Sequence, residues 1–258
     1  MRGGLYASGL LAAWLAVALP ADVRAESMAE LDDAAARMQY AFYTGDPRTI
    51  ETLLKSIEAL EVGPNLAATQ SYQLAYGSWK LSQLYLDSVS GERPPSNAKS
   101  LAAKAAQACV RHAKAAVQQD ARMGEAYAIQ AACEGFTSGA RGGSAGCERG
   151  KPMRTALSVS PDNPRVKLIE ALCASGRSPD PAAADRWRPV VESFEAAPPS
   201  APGRPDWGHV EALTRLGETY LQRGDSVAAR DALERALVLA PDYRQARQLL
   251  QAAAARPR

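Results

Sequence analysis

From Met28 onward the chain is a succession of helix-length segments cut by the same few residues, and no stretch shows sustained alternation of apolar and polar side chains between turn residues. That pattern specifies an all-α fold and leaves no strands from which to build a sheet. Helices are expected over residues 28–43, 47–60, 66–88, 98–119, 124–136, 147–158, 164–174, 182–195, 207–223, 226–239 and 243–254. Connections this short make consecutive helices neighbours, so the segments pair as hairpins at 27–62, 65–120, 123–160, 163–197 and 207–240, with a cap helix at 242–255. The punctuation has physical causes. Gly45-Asp46-Pro47 sets a residue tolerant of positive φ at a helix end, then a capping carboxylate, then a proline whose missing N–H is not needed there. Gly224-Asp225, Pro161-Asp162-Asn163-Pro164 and Pro241-Asp242 reuse the device.

Reuse of one punctuation scheme implies a repeat, and Ala121, Pro161, Ala201 and Pro241 stand at equal intervals of 40 residues. In the clearest unit, Leu213, Leu216, Gly217, Tyr220, Ala229, Leu233, Ala236 and Pro241 fall on the spacing W-x2-L-G-x2-Y-x8-A-x3-F-x2-A-x4-P, with Leu213 and Leu233 in place of the aromatics. Small residues at 217, 229 and 236 permit close approach of two helices, and the larger ones fill the space between them. This unit resembles a tetratricopeptide (TPR) repeat. The other units match more loosely, Met38 standing where Gly or Ala is usual and insertions interrupting residues 88–97 and 137–146. With the segments Trp207-Gly208-His209-Val210-Glu211-Ala212 and Pro161-Asp162-Asn163-Pro164-Arg165-Val166, the whole chain is similar to exported bacterial proteins of the TPR family. The resemblance implies a TPR-like α-solenoid of about five hairpins plus a capping helix, a binding or scaffolding role for a protein or peptide partner, and no catalytic residues.

Residues 1–25 look like an export signal: Arg2 is a short basic start, Leu5 to Leu19 is mostly apolar, and Val23-Arg24-Ala25 offers small side chains for cleavage after Ala25. An apolar run of about 15 residues is shorter than the ~20 that span a bilayer. A periplasmic or secreted protein without stable membrane insertion is the expectation. Charge adds little, because 30 Lys and Arg stand against 28 Asp and Glu, which argues against nucleic acid as a partner.

Export changes how Cys109, Cys133, Cys147 and Cys173 are read, since thiols pair in an oxidising compartment. No CxxC spacing occurs and only His112 and His209 are present, so no metal site is expected. In a stacked array, residues equidistant from the turn between neighbouring helices lie side by side. Cys109 and Cys133 centre on residue 121, and Cys147 and Cys173 on residue 160, both at expected turns. Disulfides Cys109–Cys133 and Cys147–Cys173 follow, with a Cys133–Cys147 bond and four buried free thiols as the alternatives.

Nothing in the chain argues for an enzyme or a cofactor. The glycines of residues 137–146 precede Gly150-Lys151, but Pro152 follows the lysine and no strand precedes the loop, so a phosphate-binding loop is rejected. Neither histidine has a nucleophile or carboxylate motif beside it. Seven of the 16 aromatics lie in the first two hairpins, with Tyr72, Tyr76 and Trp79 on one helix face. Ordinary core burial is one reading; an aromatic groove formed with Tyr40 and Tyr43 is the other. Carrying the TPR inner face onto the clearest unit adds Glu211, Thr214, Glu218 and Gln222 as candidate partner-binding residues. The basic and Asn residues that clamp a peptide carboxylate in some family members are missing there. The functional expectation is an interaction module binding a peptide or envelope protein. The alternative is a small-ligand or substrate-delivery component of an envelope transport system, with its pocket among the N-terminal aromatics.

Overall fold

The structure, a computed structural model, describes residues 21–86, 96–137, 147–175, 183–198 and 206–255. Most of the expected signal, the glycine-rich run, Ala201 and the Pro-rich stretch 199–205 lie outside the described residues. Every element described is helical: α1 (Ala21–Thr44), α2 (Pro47–Ala59), α3 (Ala67–Leu86), α4 (Ala98–Gln119), α5 (Gly124–Thr137), α6 (Lys151–Val159), α7 (Pro164–Ala174), α8 (Ala183–Glu195), α9 (His209–Gln222), α10 (Ser226–Leu239) and α11 (Arg244–Ala255). No helix among these residues is long and apolar enough to cross a membrane.

Three of the expected caps form where the sequence places them, at Asp46, Asn163 and Asp225, whereas Asp242 accepts from the Arg247 and Tyr40 side chains instead. Gly45 and Gly224 take φ of +77° and +82°, and the following Asp46 and Asp225 carboxylates accept the N–H groups of Thr49 and Ala228 at 3.1 and 3.0 Å. Asn163 likewise caps α7 through Arg165 N at 2.9 Å. Three expected helix starts differ by more than one residue. α1 begins at Ala21, upstream of Met28 and across the expected cleavage point after Ala25, and α9 begins at His209 rather than Trp207, because Gly208 takes φ +113°. Residues 147–149 form a 3-10 turn and α6 starts only at Lys151, because Gly150 is extended and Pro152 sits in the first turn, where its ring prevents the helix from running further upstream.

Each helix packs on the next in the chain, and the odd-numbered helices also touch one another: α1 on α3, α3 on α5, α5 on α7, and α9 on α11. The series then returns on itself, since α11 packs on α1 as well. Within α9–α10 a Cβ placed on Gly217 would lie 2.6 Å from Leu233 Cγ and 3.2 Å from the Ala229 carbonyl oxygen. Leu233 is wholly buried and the carbonyl belongs to a helix, so neither has room to yield. Overpacking of this kind costs about 1–3 kcal/mol, against roughly 1 kcal/mol that alanine gains over glycine inside a helix. Gly217→Ala is therefore expected to lower the melting temperature by a few degrees in a thermal scan.

Two disulfides tie neighbouring helices. Cys109 of α4 is bonded to Cys133 of α5, and Cys147 of the 3-10 turn to Cys173 of α7; all four sulfurs are buried and no free cysteine remains.

Candidate functional site: an aromatic clasp around Lys80

The residues singled out from the sequence converge, but they face inward. Tyr72, Tyr76 and Trp79 share one side of α3, Tyr43 comes from the end of α1, and all four are buried. Trp207, immediately before α9, completes the group. Its ring stacks on Tyr76 at 5.4 Å and meets Trp79 edge-on at 5.4 Å, while its indole N–H donates to the Tyr72 hydroxyl at 2.6 Å. A backbone device sends it there. Gly208 has φ +113°, and a Cβ on it would fall 2.6 Å from Phe194 Cζ, so only glycine fits the turn that directs Trp207 into the core before α9 begins.

At the centre lies a residue the sequence reading missed. Lys80 is the only charged residue between Glu61 and Asp87, a signal that was available in the sequence. Its side chain is 2% exposed, with Nζ 4.2 Å from the ring centroids of both Phe42 and Trp79. Nζ donates to Glu211 Oε1 at 3.1 Å. The other carboxylate oxygen, Oε2, accepts from the Tyr43 hydroxyl at 3.1 Å and from Gly208 N at 3.0 Å. One carboxylate on α9 is thereby satisfied by donors from α1, α3 and the turn before α9. Ion pairing and cation–π contact together offset the removal of the ammonium from water. Burial pushes the Lys80 ammonium below its ordinary value, and Glu211 opposes that shift. Burial also raises the phenols of Tyr43, Tyr72 and Tyr76, which stay neutral through the physiological range. The Tyr76 hydroxyl and the Trp79 indole N–H are buried without a hydrogen-bond partner among the described residues.

Of the two readings of the aromatics, core burial holds for Tyr43, Tyr72, Tyr76 and Trp79, while the aromatic groove and the inner binding face need correction. Tyr72, Tyr76 and Trp79 are interior because Trp207 closes over them, and Tyr43 is interior where Tyr243, just before α11, packs against its ring; burying large rings in contact stabilises both meetings. Glu211 is committed to Lys80, and Thr214 is buried with its hydroxyl donating to the Val210 carbonyl at 2.8 Å. Glu218 is half-buried and paired with Arg215 at 2.8 Å, and Gln222 is exposed. Tyr40 alone of the aromatic candidates stays open, 57% exposed, with its hydroxyl donating to Asp242 at 3.3 Å. That bond belongs to the α1–α11 seam, along with the Tyr43–Tyr243 ring contact at 4.6 Å and the Arg244 guanidinium donating to the Thr44 carbonyl at 3.2 Å.

Chemically, an ammonium held this far from solvent has no access to a substrate, and its role is to join α3 to α9. No group of three or more His, Cys, Asp or Glu side chains among the described residues is placed to hold a metal ion. A cavity of about 410 Å³ lies elsewhere, between α7 and α8, lined by Lys167, Glu170, Ala171, Ala174, Arg186, Pro189 and Val190. Pro189, inside α8, cannot donate to the carbonyl one turn back, and the short alanines opposite leave the gap unfilled. Comparison with known proteins finds no matching family model, and no curated protein is significantly similar to the chain.

Proposed function

We propose that the chain is an exported TPR-like helical-repeat protein that binds another protein of the envelope and performs no catalysis of its own. The observation that carries this reading is the seat of Gly217 against Leu233 and Ala229 in α9–α10, at the spacing where that repeat needs its small and large residues. Serial pairing of the helices supports it, as do two buried disulfides, which suit an oxidising compartment. Because the inner aromatics are engaged within the chain, the partner is held on outward surfaces rather than in a groove along Tyr72, Tyr76 and Trp79.

Two measurements test the proposal. Intact mass of the protein recovered from the envelope is expected to correspond to a chain beginning at Glu26; an uncleaved mass, or recovery only from the cytoplasm, overturns export. Photo-crosslinking in cells, with the probe on an exposed helix face, is expected to trap one discrete protein, and absence of any protein adduct overturns the scaffold role. The small-ligand reading has one observation in its favour, the α7–α8 cavity, whose volume falls in the range of small-molecule sites. Co-purification of a small molecule, lost when Ala171 is enlarged to Leu, would move the assignment there.

A further inference from the structure

Every charge on the outward face of α4 is positive. The helix carries Lys99, Lys104, Arg111, His112 and Lys114 in 22 residues and contains no carboxylate. Its buried face is Ala98, Ala102, Ala105, Ala106, Cys109, Ala113 and Ala116, which turns Lys104, Arg111 and Lys114 to solvent along one side over about 15 Å. Neighbouring elements do little to neutralise them. The helix packed most extensively against α4 is α3, and it has no carboxylate; α5 supplies Glu134, 4.0 Å from Lys114, and Glu58 of α2 is felt at His112. No carboxylate pairs with Lys99, Lys104 or Arg111 among the described residues.

This charge is not arranged for the benefit of the helix. Lys99 sits in the first turn, at the positive end of the helix dipole, where a cation is unfavourable by about 0.3–1 kcal/mol. Asn97 makes no side-chain cap bond, and the last turn, where a cation would help, has none. Local rules broken without local compensation mark surfaces kept for another purpose. Between the cations the face presents Ser100, Gln107, Gln118 and the half-exposed Ala115, uncharged side chains without bulky rings or branches that would hold another helix away. None of the exposed large hydrophobic residues is on α4, so nothing there would enter a bilayer.

We propose that this face of α4 is the docking surface for an acidic helical segment of a protein partner, with carboxylates seven and three residues apart opposite Lys104, Arg111 and Lys114. The inference deepens the interaction-module reading and rests on it. Charge complementarity along one straight face is its basis, and it predicts fast, salt-sensitive association.

The test is fluorescence anisotropy of the disulfide-bonded mature protein with a labelled Glu/Ala helical peptide whose glutamates follow the seven-and-three spacing. Saturable binding that weakens between low and moderate salt is expected. Lys104→Glu/Arg111→Glu is expected to weaken it about tenfold or more, and Arg223→Glu/Arg230→Glu, with the same change in net charge at exposed sites on other elements, to leave it nearly unchanged. All four positions are exposed, and circular dichroism checks that both variants fold. Equal weakening by the two double variants, equal binding of a single-stranded oligonucleotide or of phosphatidylglycerol vesicles, or no saturable binding overturns the proposal. So does a monomer–dimer equilibrium abolished by Lys104→Glu/Arg111→Glu, which would assign the face to a second copy of the chain. Failure of the peptide while the cellular crosslink persists removes this surface alone, whereas failure of the crosslink removes the module reading.

Discussion

Glu211→Ala is expected to destabilise the protein by about 3–5 kcal/mol, the cost of leaving one member of a buried ion pair uncompensated. Glu211 is the single acceptor for donors from three places: Lys80 Nζ, the Tyr43 hydroxyl and Gly208 N. Its loss strands an ammonium inside an aromatic cluster that already holds two polar atoms, Tyr76 Oη and Trp79 Nε1, with no hydrogen-bond partner among the described residues. Lys80→Met is expected to cost less, because the carboxylate it leaves behind keeps two donors. Lys80→Met/Glu211→Gln should recover part of the loss, since an uncharged replacement of a buried pair is often close to neutral. Urea unfolding at constant pH checks the order. A midpoint for Glu211→Ala indistinguishable from the parent would show that the pair does not hold α3 to α9.

The same variant has a pH signature. Burial lowers the Lys80 ammonium in the folded state, and removing Glu211 takes away the interaction that opposes the shift. The unfolded chain then binds more protons than the native one between the lowered folded value and the ordinary lysine value near 10.4. Stability in that window therefore rises with pH, and it is lost as pH falls through the folded value. Glu211→Ala should regain stability between neutral pH and about pH 9.5 by a larger margin than the parent does. Above pH 10 the raised phenols of Tyr43, Tyr72 and Tyr76 work in the opposite direction, because ionising them favours unfolding.

The second large effect concerns the sulfur bridges. Loops of 24 and 26 residues are closed by Cys109–Cys133 and Cys147–Cys173. On loop-closure entropy each contributes about 3.5 kcal/mol. Cys109→Ala/Cys133→Ala and Cys147→Ala/Cys173→Ala should each lose roughly that amount, and reduction of both bridges about twice it. Against a total of about 5–15 kcal/mol for an ordinary domain, the fully reduced protein should sit near its unfolding threshold at 37 °C. Melting curves with and without reductant, read by circular dichroism, check this; a shift under 3 °C on full reduction would show that helix packing alone holds the fold.

Both bridges were legible because a turn acts as a mirror. Cys109 and Cys133 reflect through residue 121, and Cys147 and Cys173 through residue 160, at turns that the sequence marks with Ala121 and with Pro161-Asp162. Helix ends were legible for a similar reason, since Gly45-Asp46 and Gly224-Asp225 determine their caps within four residues. Closure of the series was not. Packing of α11 on α1 and the reach of Glu211 to Lys80, 131 residues away, depend on small rotations accumulated over many helix pairs, which no local spacing encodes. Tyr72, Tyr76 and Trp79 share one face of α3 as their spacing says, while the residue that covers that face, Trp207, lies far along the chain and was hidden. Lys80 left a readable trace as a lone cation in an uncharged stretch, and Gly208 another as a glycine directly after a tryptophan.

The account stands on the meeting of the two ends of the helix series, and one crosslink tests it directly. All four native cysteines are engaged in disulfides, so Tyr40→Cys/Asp242→Cys introduces the only free thiols, at two positions whose side chains touch across the α1–α11 seam. A short bis-maleimide applied to the dilute monomer is expected to bridge them within one chain, giving a mass increase of one linker and no remaining thiol. Two separately capped thiols on each chain, with no intramolecular bridge, would mean that the ends lie apart, and the buried clasp around Lys80 would fall with them.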